Sequence, residues 1–170
     1  MRYNWRNITL VGMPASGKST IGVLLAKRLG YKFIDSDLLI QEQEEKLLKE
    51  IIEEEGLDGF LAIENQVNRD IAADKTVIAP GGSVIYGAQA MEHLKEIGTV
   101  VYLKISYEDL EKRLGNLHDR GVALKDGMTL FDLYQERVPL YERYADVTID
   151  ETEKTSGQIV DELRMLVEWN

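Results

Sequence analysis

Residues 12 to 19 read GMPASGKS, a G-x-x-x-x-G-K-S octet set between the apolar run NITLV and a stretch with helical periodicity. The octet needs a strand to deliver it and a helix to receive it. Backbone N–H groups between Gly12 and Lys18 cup an anion when that turn is tight, and glycine permits the turn. The following helix adds its positive N-terminal end. Lys18 then reaches the β- and γ-phosphates of a nucleoside triphosphate, and the Ser19 hydroxyl is placed to bind Mg²⁺. With glycine at about 7% of residues, chance yields such a match in under roughly 1% of chains this long. The candidate nucleotide-binding residues are therefore Gly12, Met13, Pro14, Ala15, Ser16, Gly17, Lys18, Ser19 and Thr20.

Short β-rich runs alternate with longer helical patterns through the rest of the chain. NITLVG, KFIDSD, TVIAPGG, TVVYLKI and DVTID read as strands. Helices are expected from Gly17 to Leu29, with Ile21, Leu24, Leu25 and Leu29 on one stripe. A second is expected over LLIQEQEEKLLKEIIEEE, with Leu39, Leu47, Leu48, Ile51 and Ile52 at helical spacing. Its acidic residues are read as the solvated face of that helix, not as a metal box. Further helices are expected over 59–74, 88–97 and 107–114, then from Thr129, with Thr129 as N-cap, and over 156–168. Alternating strands and helices imply parallel strands joined by crossovers, hence an α/β sheet covered on both faces. Ligands of such sheets sit at the carboxyl ends of the strands, so GMPASGKST, DSD and PGGS should meet in one cleft.

The 170 residues suffice for one domain with a real core and show no repeat, linker or composition break. A net charge of −10 argues against a nucleic-acid partner, because an acidic chain repels a polyanion at long range. Local positive fields still hold small anions, so ATP is compatible. There is no cysteine for a disulfide, metal or nucleophile site, which fits a reducing cytosol. The two histidines, His93 and His118, read as surface residues. The N-terminus lacks the apolar run of a signal peptide, and nothing approaches the roughly 20 apolar residues that span a bilayer. These features lead to the expectation of a cytoplasmic protein with no membrane partner.

The octet alone is shared by kinases, GTPases, motor ATPases and nucleotide sensors. A GTPase needs a base-reading N-K-x-D segment, which is missing, and large ATPases need far more chain. The size suits a small-molecule kinase. Over nearly its whole length the chain resembles the shikimate kinase family. The resemblance lies in GMPASGKSTIGVLLAKRLGYKFIDSD, GF…IE, GGSVI, VVYLKIS, the arginine-bearing segment 113–120 and ERVPLYERYAD, in matching order and spacing.

That resemblance implies a single domain over 1–170 built on a five-stranded parallel sheet with helices on both faces. It is the phosphate-loop, nucleoside-monophosphate-kinase-like fold, with acceptor-binding helices at about 38–74 and a mobile lid at about 115–128. It implies a monomer that transfers the ATP γ-phosphoryl group to a hydroxyl of shikimate or a similar small hydroxy acid. Residue by residue, Asp35 matches a carboxylate that helps hold Mg²⁺ with Ser19. Asp37 matches one that holds the acceptor's hydroxyls and is placed to take a proton, although Asp also suits a helix N-cap for LLIQ. Gly81 and Gly82 match glycines whose backbone approaches the acceptor. Arg137 matches a guanidinium on the acceptor's carboxylate. Arg120 matches a lid arginine over the γ-phosphate, and Arg113 a residue stacked near adenine. Lys18, Asp37 and Arg120 are the expected catalytic set.

Leu61 breaks the pattern: the family has an arginine there, paired with the Arg137 equivalent on the acceptor carboxylate. Ser83 stands where the family has a third glycine, and the usual proline of the adenine-side loop is missing near TSG. The nucleotide half of the site is intact while one wall of the acceptor half is rewritten. The acceptor is therefore left open between shikimate and a similar small hydroxy acid, gluconate-like or nucleoside acceptors being alternatives. A nucleotide-binding module without turnover is the non-enzyme alternative.

Overall fold

The computed structural model describes residues 2–114 and 125–169. Five parallel strands, β1 (Asn7–Val11), β2 (Lys32–Asp35), β3 (Thr76–Ala79), β4 (Thr99–Lys104) and β5 (Val147–Asp150), form one sheet in the order β2-β3-β1-β4-β5. Among the described residues the helices are α1 (Lys18–Leu29), α2 (Ser36–Glu44), α3 (Leu48–Arg69), α4 (Ala88–Ile97), α5 (Tyr107–Arg113), α6 (Leu130–Tyr144) and α7 (Ser156–Glu168). A short 3₁₀ turn covers Gly82–Tyr86.

Both faces of the sheet are covered because the central strands are apolar and successive side chains point to opposite faces. In β4, Val100 and Tyr102 join a cluster with Met91 and Leu94 of α4 and Tyr141 of α6. The intervening Val101 and Leu103 join the opposite cluster with Ile21 and Leu25 of α1 and Leu163 of α7. A buried asparagine fastens the sheet's lower edge: Asn7 donates to the Ala73 and Ile97 carbonyls and accepts from the Thr76 N–H. From β1 the chain leaves toward β2, and from β3 it crosses over to β4. The connections therefore diverge between β1 and β3, opening a crevice at their carboxyl ends.

Several sequence expectations hold to within a residue, including α4, α7 and Thr129, whose side chain closes a capping box with Asp132. Others are corrected. KFIDSD does not stay extended to Asp37, since α2 begins at Ser36. The acidic stretch after it is two helices, not one. Glu45 adopts a left-handed conformation (φ 55°) that ends α2, and Leu47, expected on the apolar stripe, is left 59% exposed. The helix expected over 59–74 starts at Leu48, bends at Gly56 (φ 74°, ψ 176°) and stops at Arg69. Leu24 is exposed on α1, because Ile21, Gly22 and Leu25 already fill the face turned to the sheet. His93 is half-buried, with a ring nitrogen 2.6 Å from the Ile71 carbonyl. Most of the expected lid, with His118 and Arg120, lies outside the described residues.

Candidate active site

The octet forms the turn its sequence demands. At Gly12 φ is 156°, and a Cβ there would stand 2.8 Å from the Leu103 carbonyl oxygen, so a side chain would collide with β4's backbone. Gly17 (φ 91°) precedes α1 without any side-chain cap, and the first turn holds no acidic residue. The N–H groups that begin α1 thus face the crevice uncapped, as anion binding requires.

Lys18 is buried, and its Nζ donates to the carbonyls of Gly12 (2.9 Å) and Met13 (2.8 Å). Burial lowers its pKa to about 8, against the opposing pull of Asp37. Met13 itself points away into the core. Ser19 Oγ lies 3.3 Å from Asp35 Oδ2, while Asp35 Oδ1 accepts the Asp37 N–H at 3.0 Å. Asp35, not Asp37, is therefore the N-cap of α2, and the capping alternative for Asp37 is set aside. The two carboxylates diverge because a strand-to-helix turn separates them.

That turn aims Asp37 into a cavity of about 410 Å³ between the loop and the β3 end. Burial first, then the neighbouring Asp35 charge, raise its pKa to about 6, with Lys18 opposing. The cavity brings together Pro14, Ala15, Gly17, Lys18, Ser19, Thr20, Asp37, Gly81, Gly82 and Arg137, as the sequence leads one to expect. Arg137 is 1% exposed and lies over the Tyr86 ring at 5.5 Å. A Cβ on Gly82 would meet Arg137 Nη1 at 3.0 Å and the Gly12 carbonyl at 3.1 Å, so its bareness lets the two halves touch. Ser16 is wholly buried behind the loop. Arg113 donates to the Ala15 carbonyl at 3.2 Å, on the loop's outer flank.

Leu61 lies apart from the other expected acceptor residues. It does not line the cavity but packs on a small apolar cluster of Ile40, Ile51, Phe60 and Val67, and its neighbour Phe60 forms the wall instead. The residues that sequence reasoning passed over are Leu48, Phe60 and above all Glu64, all on α3, while Ser83, noted there only as a departure from the family's glycines, also lines the cavity. Glu64 is 2% exposed and accepts from Ser83 Oγ at 2.6 Å. Burial pushes its pKa up to about 7, against that hydrogen bond. A signal for it existed: Glu64 sits on the apolar stripe of α3 between Phe60 and Val67, where a solvated acid does not belong.

Another buried acid, Glu151, stands beneath the loop near Gly17, and burial raises it to about 7 against the pull of Arg113. Asp37, Glu64 and Glu151 all hold their protons more tightly folded than unfolded. As pH rises from their ordinary values (3.8 or 4.5) toward 6 or 7, the unfolded chain releases protons that the folded chain keeps. Stability therefore falls with rising pH across that window. Glu64→Gln keeps an acceptor for Ser83 and removes one such group. By scanning calorimetry of the ligand-free protein, the variant is expected to melt about 3 °C or more above wild type at about pH 8, and closer to it at about pH 5.

The residues fit a magnesium nucleotide. Among the described residues no group of three or more acidic or histidine side chains could cage a metal alone. One hydroxyl and one carboxylate at the loop mouth is the sparse donor set that magnesium accepts when phosphates and water complete its shell. No helix among the described residues is long and apolar enough to cross a membrane.

Known proteins with this arrangement are similar along the whole chain. Residues 14–168 match the family model described as shikimate kinase. Shikimate kinase 2 of Yersinia pseudotuberculosis is 34% identical over 168 residues, covering 95% of each chain. Shikimate kinase of Persephonella marina is 35% identical over 159 residues, covering 93% of this chain and 96% of its own. The solved shikimate kinase of Acinetobacter baumannii, in complex with shikimate, superposes with a TM-score of 0.87 at 33% identity, covering 98% of this chain and 94% of its own. A phosphate loop opening α1, a carboxylate pair after β2 and a glycine-lined cavity after β3 accord with these matches, and the chain is a phosphotransferase acting on a hydroxyl group that belongs to the shikimate kinase family.

Proposed function

We propose that this protein transfers the γ-phosphoryl group of magnesium-bound ATP to a hydroxyl of a small hydroxy acid held between the phosphate loop and α2–α3. The observation that carries this reading is that Lys18 and Asp37, one the phosphate ligand and the other an acceptor-side base, line a single cavity. Phosphoryl transfer asks little covalent chemistry of a protein, so positioning and charge do most of the work.

The N–H groups of the loop and the Lys18 ammonium hold the β- and γ-phosphates, with Arg113 on the loop's nucleotide side. Ser19 and Asp35 would hold magnesium, Asp35 through water, and the ion would neutralise charge developing between the β- and γ-phosphates. Asp37 orients the attacking hydroxyl and accepts its proton. A base near 6 is ionised at neutral pH yet close enough to it to take the proton efficiently. Arg137 holds the acceptor's carboxylate, a match for its planar fork, and the bare backbone at Gly81 and Gly82 gives the acceptor room. The roles of α2 and α3 as acceptor helices follow from the same arrangement.

A coupled ADP-release assay over shikimate, gluconate-like acids, polyols and nucleosides tests the reading. Saturable, acceptor-dependent turnover is expected; MgATP binding with no phosphorylated product from any acceptor would refute it. In the family pattern the position of Leu61 carries an arginine that shares the acceptor's carboxylate with the Arg137 equivalent, and loss of one arm of such a clamp costs roughly 30-fold to several thousand-fold in affinity. Leu61→Arg is accordingly expected to raise kcat/KM for shikimate by about tenfold or more, read in the same assay.

A further inference from the structure

Tyr86 takes part in none of the steps above, yet the buried Arg137 guanidinium lies over its ring at 5.5 Å. Tyr86 ends the 3₁₀ turn that carries Gly82 and Ser83 into the cavity wall. That turn is closed by two backbone bonds, Val84 N–H to the Gly81 carbonyl and Gly87 N–H to the Val84 carbonyl. The ring is thereby fixed relative to the cavity. Its hydroxyl donates to Glu136 Oε2 at 2.5 Å, and Glu136 Oε1 faces Lys125 Nζ at 3.5 Å.

A phenol has one proton to give. Tyr86 gives its proton to Glu136, and Tyr141 gives its own to the Gly82 carbonyl. What each phenol oxygen has left for the guanidinium is a lone pair. Burial pulls against the Arg137 charge, yet the hydroxyls of Tyr141 and Tyr86 outweigh that pull and its pKa is raised. The face of the Tyr86 ring adds a cation–π contact.

Arg137 has a competitor for its attention. Glu64, buried in the same cavity wall, attracts it too. A guanidinium closed onto that acid would be spent inside the protein. Among the described residues, however, Glu64 Oε1 accepts from Ser83 and Oε2 accepts from no donor. The guanidinium instead lines the cavity, with Nη1 beside Gly82.

Resting on the kinase reading, with Arg137 as ligand of the acceptor's carboxylate, we propose that Tyr86 is a positioning residue for acceptor choice. Its oxygen and ring hold the Arg137 guanidinium off Glu64 and aimed at that carboxylate. Tyr86 therefore sets how strongly an acid is preferred to its uncharged analogue and leaves phosphoryl transfer itself alone.

The test uses the full chain and three acids, shikimate, gluconate and glycerate, each beside its own amide. Phosphorylated product is measured by mass spectrometry under steady-state conditions. For the acid turned over fastest, the wild type is expected to show a kcat/KM about tenfold or more above that of the amide. Tyr86→Phe keeps the ring and removes the oxygen. It is expected to raise the KM for the acid about tenfold, the worth of one hydrogen bond to a charged group. The kcat, the KM for ATP and the KM for the amide are expected to stay within about twofold. Arg137→Met removes the cation and with it the acid preference. Adding Tyr86→Phe to Arg137→Met is expected to change the acid-to-amide ratio by less than about twofold, because a residue that acts through another is not additive with it.

A Tyr86→Phe protein that fails to fold, loses acid and amide turnover alike, or keeps the wild-type ratio overturns the positioning role and leaves the kinase standing. So does an equal change of ratio in the Arg137→Met background. A wild type that takes acid and amide equally removes the carboxylate from Arg137, and this proposal with it, the kinase again standing. Product from no acceptor, with MgATP bound, overturns the kinase reading itself.

Discussion

Asp37→Asn is expected to lower kcat by roughly 10²–10⁴, the usual contribution of a placed general base, while MgATP affinity at slightly acidic pH changes little. Asparagine keeps the shape and a hydrogen-bond acceptor but cannot take a proton from the attacking hydroxyl. The pH profile supplies a second signature. In the wild type, kcat/KM should rise with pH through about 6 as Asp37 ionises, and that limb should vanish in the variant. At the alkaline end, the Lys18 ammonium releases its proton near 8 and Asp37 is the strongest charge keeping it on. Removing a negative neighbour lowers an ammonium's pKa, so the falling limb should move to lower pH. Steady-state rates across the pH range, with nucleotide affinity by calorimetry, decide the matter. A kcat within threefold of wild type would remove Asp37 from the proton-transfer role.

Lys18→Met should be the other severe lesion, with kcat/KM for ATP down by roughly 10³ and MgATP binding at least about tenfold weaker. Methionine fills much of the same volume but donates nothing. The transferring phosphoryl charge then loses its buried ammonium in a site where low dielectric magnifies such contacts. The Gly12 and Met13 carbonyls also lose their shared donor, a cost offset because a desolvated charge no longer has to be kept inside. The melting temperature of the nucleotide-free variant is therefore expected to stay within a few degrees of wild type. A large drop in melting temperature alongside lost activity would mean that Lys18 supports the loop's shape more than the phosphates.

The nucleotide half of the site is legible from sequence because its geometry is local. A glycine-bracketed octet between a strand and a helix fixes its own backbone, and the structure has that turn, with positive φ at Gly12 and Gly17 and α1 starting at Lys18. The sheet was equally readable, since apolar runs such as TVVYL have no other home than a covered strand. The acceptor half is less so, because it depends on contacts between distant segments. No periodicity announces that Glu45 will turn left-handed or that α3 will bend at Gly56. That bend separates the two turns that reach the cavity with Leu48 from those that reach it with Phe60 and Glu64. Leu61 shows the converse: the alignment of motifs singled it out, yet its side chain belongs to the apolar packing behind the wall. Glu64 escaped notice because a glutamate among so many surface acids looks ordinary until its burial is known.

The Tyr141 hydroxyl donates to the Gly82 carbonyl at 2.6 Å, and its ring stacks on Tyr102 of β4 at 5.2 Å. Arg137 lies one helical turn before it. The guanidinium is thus bolted to the same rigid frame as the phosphate loop, whereas Leu61 and Glu64 ride on a bent helix packed on its own small cluster. Selection can rework the second wall, trading one acceptor for another, without disturbing the register between phosphate donor and anchored arginine. A lineage built this way would diversify its substrates through α3 while its triphosphate chemistry stayed put.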